Sequence, residues 1–133
     1  TTRVYLGRSW DYPLSWKETI GIVPCIFRPA SGLWQTSNGT RFYFGKTGDV
    51  PIPGIYGENG CLGGVFRPGG PWIIRGLTRF YWGGSGAVPV PGLYQGGGEA
   101  VLPAVFNQPD ARWRLRGLTE MNYGQPGDIP VTR

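Results

Sequence analysis

One segment returns along this chain at a nearly constant interval, and that interval limits the folds open to it. Ile26-Phe27-Arg28-Pro29 recurs as Val65-Phe66-Arg67-Pro68 and again as Val105-Phe106-Asn107-Gln108-Pro109. The phenylalanines stand 39 and then 40 residues apart. A tryptophan follows each (Trp34, Trp72, Trp113), and eleven residues beyond each tryptophan comes a glycine (Gly45, Gly83, Gly124). A proline-spaced segment follows: Gly48-Asp49-Val50-Pro51-Ile52-Pro53-Gly54, then Gly86-Ala87-Val88-Pro89-Val90-Pro91-Gly92, then Gly127-Asp128-Ile129-Pro130-Val131. A repeat of this length is one supersecondary module whose apolar face must be covered by its neighbour.

The N-terminus joins the alignment. Thr2-Arg3-Val4-Tyr5-Leu6-Gly7 matches Thr40-Arg41-Phe42-Tyr43-Phe44-Gly45 and Thr78-Arg79-Phe80-Tyr81-Trp82-Gly83, and Asp11-Tyr12-Pro13-Leu14 matches the proline-spaced segment. Cut in this phase, a single repeat domain covers 1–133, with units 2–39, 40–77 and 78–118 and a partial unit 119–133. The 24 glycines and 13 prolines leave few uninterrupted stretches of ten residues, which disfavours helix. A hydrophobic content of 40% with 19 aromatics argues for a packed core over disorder. Strands are expected around 41–44, 50–52, 64–66 and 72–75, with turns at the glycine clusters. Phenylalanine and tryptophan at fixed repeat positions are read as core.

Taken together, Val-Phe-Arg-Pro, a Trp-centred strand, Arg-Gly-Leu-Thr-Arg and Gly-Asp-Val-Pro-Ile-Pro-Gly resemble FG-GAP/VCBS repeats over essentially the whole chain. The resemblance implies blades of an integrin-type β-propeller, an extracellular or cell-surface setting, and roles in adhesion and ligand display. It also implies a calcium loop rich in aspartate after the proline-spaced segment. Here that loop has lost its acids: Gly54-Ile55-Tyr56-Gly57-Glu58-Asn59-Gly60-Cys61 offers one, and Gly92-Leu93-Tyr94-Gln95-Gly96-Gly97-Gly98-Glu99 one. The first, Trp16-Lys17-Glu18-Thr19-Ile20-Gly21, brings in a lysine. Calcium needs six to eight oxygens, so no metal and no cofactor is expected.

The expected fold is therefore all-β: about three propeller-like blades of short antiparallel strands. Three units are too few to close a propeller ring, and residues 2–16 and 119–133 share one phase of the repeat. The chain is expected to be cut from a longer array, to pass strands head to tail between subunits, or to pack its units three-fold. Head-to-tail exchange gives rings or filaments.

Other residues narrow the function. Histidine is absent and the acids are scattered, so an enzyme is not expected. Cys25 and Cys61 fit no zinc spacing; a disulfide between units and two buried thiols both remain open. The net charge of +5 favours anionic partners weakly, and no nucleic-acid-reading motif is present. No apolar run is long enough for membrane insertion as a helix. The start, Thr1-Thr2-Arg3-Val4, has no signal-peptide pattern, as in a mature form or an excised piece. Asn38-Gly39-Thr40 matches a glycosylation sequon and, equally, a hairpin turn, which is the reading preferred. Asp11, Asp49 and Asp128 recur, with Ala87 replacing them once, as expected of turn caps.

Two groups stand out as candidate binding residues. Arg112, Arg114 and Arg116 alternate with Trp113 and Leu115, placing three arginines on one strand face, either a solvated surface or an anion site. Trp10 and Trp16 replace glycines of the other units and are expected to cap a core end or to anchor a subunit contact. The expected function is a non-enzymatic structural or adhesion protein that self-associates into a homo-oligomer or filament. The alternative is a lectin-like module recognising glycans or an acidic protein surface.

Overall fold

The computed structural model describes residues 7, 10–18, 21–58, 60–84, 86–95 and 100–131. Its described residues are all-β, in three four-stranded antiparallel sheets, each a simple meander of consecutive strands. The first holds β1 (Tyr12–Glu18), β2 (Gly21–Arg28), β3 (Leu33–Thr36) and β4 (Arg41–Tyr43). The second holds β5 (Val50–Pro51), β6 (Gly64–Phe66), β7 (Pro71–Ile74) and β8 (Thr78–Tyr81). The third holds β9 (Ala87–Pro89), β10 (Ala104–Asn107), β11 (Arg112–Leu115) and β12 (Thr119–Asn122).

These boundaries fall one strand later than the units drawn from the sequence. The segment Arg41–Tyr43, placed at the head of the second unit, pairs with β3 and closes the first sheet. A repeat can be cut at any phase in sequence; hydrogen bonding chooses the cut.

Register explains why the aromatics recur. Phe27 lies opposite Trp34, and Trp34 opposite Phe42, so three rings form one row across β2, β3 and β4. Phe66, Trp72 and Phe80 repeat the row in the second sheet, and Phe106, Trp113 and Met121 in the third. Such cross-strand neighbours are the unit of sheet stabilisation. Trp34 stacks on Phe42 at 5.6 Å and Trp72 on Phe80 at 5.8 Å, both with an 11° interplanar angle. Each tryptophan satisfies its indole by donating from Nε1 to a carbonyl ten residues on: Phe44 at 2.8 Å, Trp82 at 3.0 Å and Tyr123 at 3.2 Å.

The row of one sheet is covered by the next. Val65 of β6 packs into the cluster of Phe27 and Trp34, and Val105 of β10 into that of Phe66 and Trp72. The third cluster, built on Phe106, draws on the third sheet alone. The glycine after each row lets the chain cross to the next sheet. Gly45 has φ +91°, and a Cβ there would lie 3.0 Å from Val65 Cγ1. Any side chain at that point would push the sheets apart.

Tyrosine hydroxyls and backbone amides bridge the β5–β6 and β9–β10 loops. Tyr56 Oη donates to the Ile52 carbonyl at 2.7 Å and Tyr94 Oη to that of Val90 at 2.5 Å. Val101 N–H donates to the Ile55 carbonyl at 2.6 Å, tying the β5–β6 loop of the second sheet to the β9–β10 loop of the third. Ile55 and Leu93, where the resemblance implies a calcium ligand, offer no side-chain oxygen, and these carbonyls already accept hydrogen bonds, so the described residues do not fit a calcium ion. Among the described residues no three His, Cys, Asp or Glu side chains gather.

Candidate functional site

A carboxylate stands at the entry to the first two sheets, Asp11 and Asp49, and Asp49 carries the crossing from the first sheet to the second. Asp49 is buried, at 1% exposure, and does two jobs. Its Oδ2 accepts from Lys46 N–H at 3.0 Å, closing the turn that leaves β4. Both carboxylate oxygens also accept from the Arg67 fork, Nε to Oδ1 at 2.8 Å and the terminal nitrogen to Oδ2 at 3.0 Å. Asp11 and Arg28 form the same bidentate pair in the first sheet, at 2.9 and 3.0 Å. Such pairs are among the stronger and more directional polar contacts in proteins. Hydrogen bonding to the carboxylate raises the pKa of Arg28 and Arg67 above the ordinary arginine value.

The turn-capping role was legible in the sequence; the arginine partner was missed. A signal for it existed within the repeat. Where Ala87 replaces the aspartate, Asn107 replaces the arginine, so the two positions change together. Asn107 instead donates to Asp110 at 2.9 Å.

Among the described residues, the aromatic row of the third sheet is covered less completely than the other two. Trp34 and Trp72 are fully buried, but Trp113 is only half-buried, and Met121 and Tyr123 are 45% and 74% exposed. Beyond them the chain turns at Gly124 into 125–131, where Ile129 and Val131 are each 82% exposed. Their counterparts Ile52 and Val90, both equivalent to Val131, are 4% exposed. The third sheet and the segment after it thus leave exposed the side chains whose counterparts are covered in the first two sheets.

The structure separates the predicted site residues. Arg114 lies over the Trp82 ring at 5.4 Å and within 3.3 Å of Glu120, and Arg116 lies over Phe80 at 4.1 Å. Both therefore cover the aromatics of the preceding sheet, as Arg75 covers Phe42 at 4.4 Å. These are cation–π contacts between sheets. Arg112 is exposed beside a groove that also contains Asn107, Asp110, Arg114 and Glu120. Trp16 is buried against Trp34 and Phe42 within the first sheet, whereas Trp10 is 92% exposed. The two tryptophans do not form one patch. Part of the N-terminal segment, 1–6 and 8–9, lies outside the described residues.

Cys25 and Cys61 are free thiols in the first core cluster, Cys25 buried and Cys61 half-buried. Burial pushes the Cys25 thiol from 9.0 to about 11, and it raises Cys61, Tyr56 and Tyr94 as well. All four are acids held neutral by the fold. The native state keeps protons that the unfolded chain releases, so this stabilisation is complete below pH 9. It falls as pH rises toward 11. Thermal melts are expected to show a steady loss of Tm from pH 9 to 11, and Cys25→Ala to flatten the slope. A Tm constant across that range would contradict the burial of these groups.

The class defined by this fold is an all-β repeat of small four-stranded sheets packed in series. No protein-family model, curated protein or solved structure matches the chain.

Proposed function

We propose that this chain is a non-enzymatic structural repeat protein whose propeller-like blades self-associate, end to end, into a homo-oligomer or filament. The observation that carries this reading is the unequal burial of one repeated feature. Trp34 and Trp72 are each sealed by the next sheet; Trp113, Met121 and Tyr123 are left partly open. A face that is covered twice within the chain is complementary to a surface the chain already carries. Heterologous contacts of this kind build rings or filaments. The FG-GAP/VCBS resemblance supports an extracellular or cell-surface setting and an adhesive use of the assembly.

A second reading, a lectin-like module, draws on exposed arginine–tyrosine pairs. Arg41 and Arg79 each lie over, and donate to, the tyrosine two residues on, Tyr43 at 2.8 Å and Tyr81 at 3.0 Å. Both tyrosines are exposed on outer strands, presenting a ring face and a fixed cation to a glycan or an acidic surface.

Light scattering across a wide concentration range tests the first reading. The mass is expected to rise with concentration in steps of the 14.6 kDa chain. A constant monomer mass would overturn self-association, and glycan-array binding would then favour the second reading.

A further inference from the structure

We propose that residues 128–131 of one chain replace residues 11–14 of a second copy, pairing along its β2 with Asp128 bound to its Arg28. This rests on the self-association above and specifies how it is made.

The donor segment is already shaped for the contact. Gly124 has φ +91°, matching Gly45 at +91° and Gly7 at +89°. Gln125 N–H donates to Asp128 Oδ2 at 2.8 Å and Asp128 N–H to the Gln125 carbonyl at 3.1 Å. Lys46 and Asp49 make the same two bonds at 3.0 and 3.1 Å. Asp128 thus holds the pose of an interior aspartate. Asp49 spends that pose on Arg67, and Asp11 makes the same fork with Arg28; Asp128 meets no arginine among the described residues and is exposed. Ile129 and Val131 project beside it into solvent.

The acceptor is the equivalent groove on β2. There Gly7 rests against Ile26, its missing Cβ 3.0 Å from Ile26 Cγ2, as Gly45 rests against Val65 at 3.0 Å. Tyr12, Pro13 and Leu14 pair with Phe27, Ile26 and Cys25. In the repeat, Ile129, Pro130 and Val131 align with Tyr12, Pro13 and Leu14.

The resident segment carries a strain that the incoming one lacks. Trp10 has φ +78° at a position where the other three turns have glycine: Gly48 at +93°, Gly86 at +80° and Gly127 at +88°. Left-handed backbone is unfavourable for a side chain with Cβ. The Trp10 ring, 92% exposed, gains no burial to offset it. Exchange relieves this strain, pairs Asp128 and covers part of Ile129 and Val131, whose counterparts Tyr12 and Leu14 are partly covered on β2.

Cross-linking of the full 133-residue chain tests the register. In Val131→Cys with Cys61→Ala, the introduced thiol should face Cys25 of a second copy, since Leu14 is the partner of Cys25. Directly opposed strand residues lie within the Cα range of a disulfide. Mild oxidation is expected to give a ladder of multimers on non-reducing gels, with peptide mapping joining residues 131 and 25. Trp10→Gly, which relaxes the resident turn, is expected to weaken association about tenfold, the equivalent of about 1.4 kcal/mol. Multimers by light scattering without the 131–25 link, and insensitive to Trp10→Gly, would overturn strand exchange and leave self-association standing. A chain that is monomeric at every concentration would overturn both.

Discussion

Trp34→Ala is expected to cost about 4 kcal/mol of folding stability, the largest loss from any single side chain in the first sheet. Trp34 is fully buried and sits mid-row, with Phe27 at 5.1 Å on one side and Phe42 at 5.6 Å on the other. Its removal opens a cavity that Val65 of the next sheet also lines, and it strips the Phe44 carbonyl of its indole donor. Trp113→Ala is the control. It removes the same atoms from the same register, but from a row that no further described sheet covers, so its cost should be less than half as great. Urea unfolding of both variants measures the difference. Equal losses would mean that the covering sheet adds nothing, and the account of sheet-on-sheet packing would fail.

Asp49→Ala is expected to cost about 3 kcal/mol, because it leaves the Arg67 fork without its carboxylate and the Lys46 amide without its cap. Arg67 keeps 30% of its side-chain surface, which lets water recover part of the loss. The third sheet supplies the second half of the experiment, since Ala87 and Asn107 show how the fold manages without the pair. Asp49→Ala combined with Arg67→Asn should therefore be more stable than Asp49→Ala alone, with a residual cost of about 1 kcal/mol. A double-mutant cycle gives the coupling directly. Additive losses would show that the two residues stabilise the crossing separately.

How much was legible in the chain varies with the range of the interaction. Strand positions were readable because glycine and proline bound short runs of β-branched and aromatic residues: Gly64–Phe66 is as expected, and Val50–Pro51 and Arg41–Tyr43 each fall one residue short. The turn role of Asp49 and Asp128 was readable because it spans three residues. The fork from Arg67 to Asp49 spans 18 and depends on two strands lying side by side, so only paired change within the repeat pointed to it. The arginine stripe shows the other limit. Alternation places Arg112, Arg114 and Arg116 on one face, but it does not say what lies opposite. The preceding sheet places Phe80 and Trp82 there, and two of the three arginines pack on them.

What the sequence determined by itself is the module: a repeat near 40 residues, all-β, with an aromatic row and a proline-spaced entry strand. These follow from local chemistry, namely turn propensity, alternation and periodicity, which act over a few residues. The tertiary structure decided where one module stops and the next begins, which side chains are sealed and which are left open. Those outcomes depend on hydrogen bonds between strands and on burial against a neighbouring sheet, and neither is written at any one position. Trp34 and Trp113 occupy the same place in the repeat, and only the sheet packed beside the first makes them different.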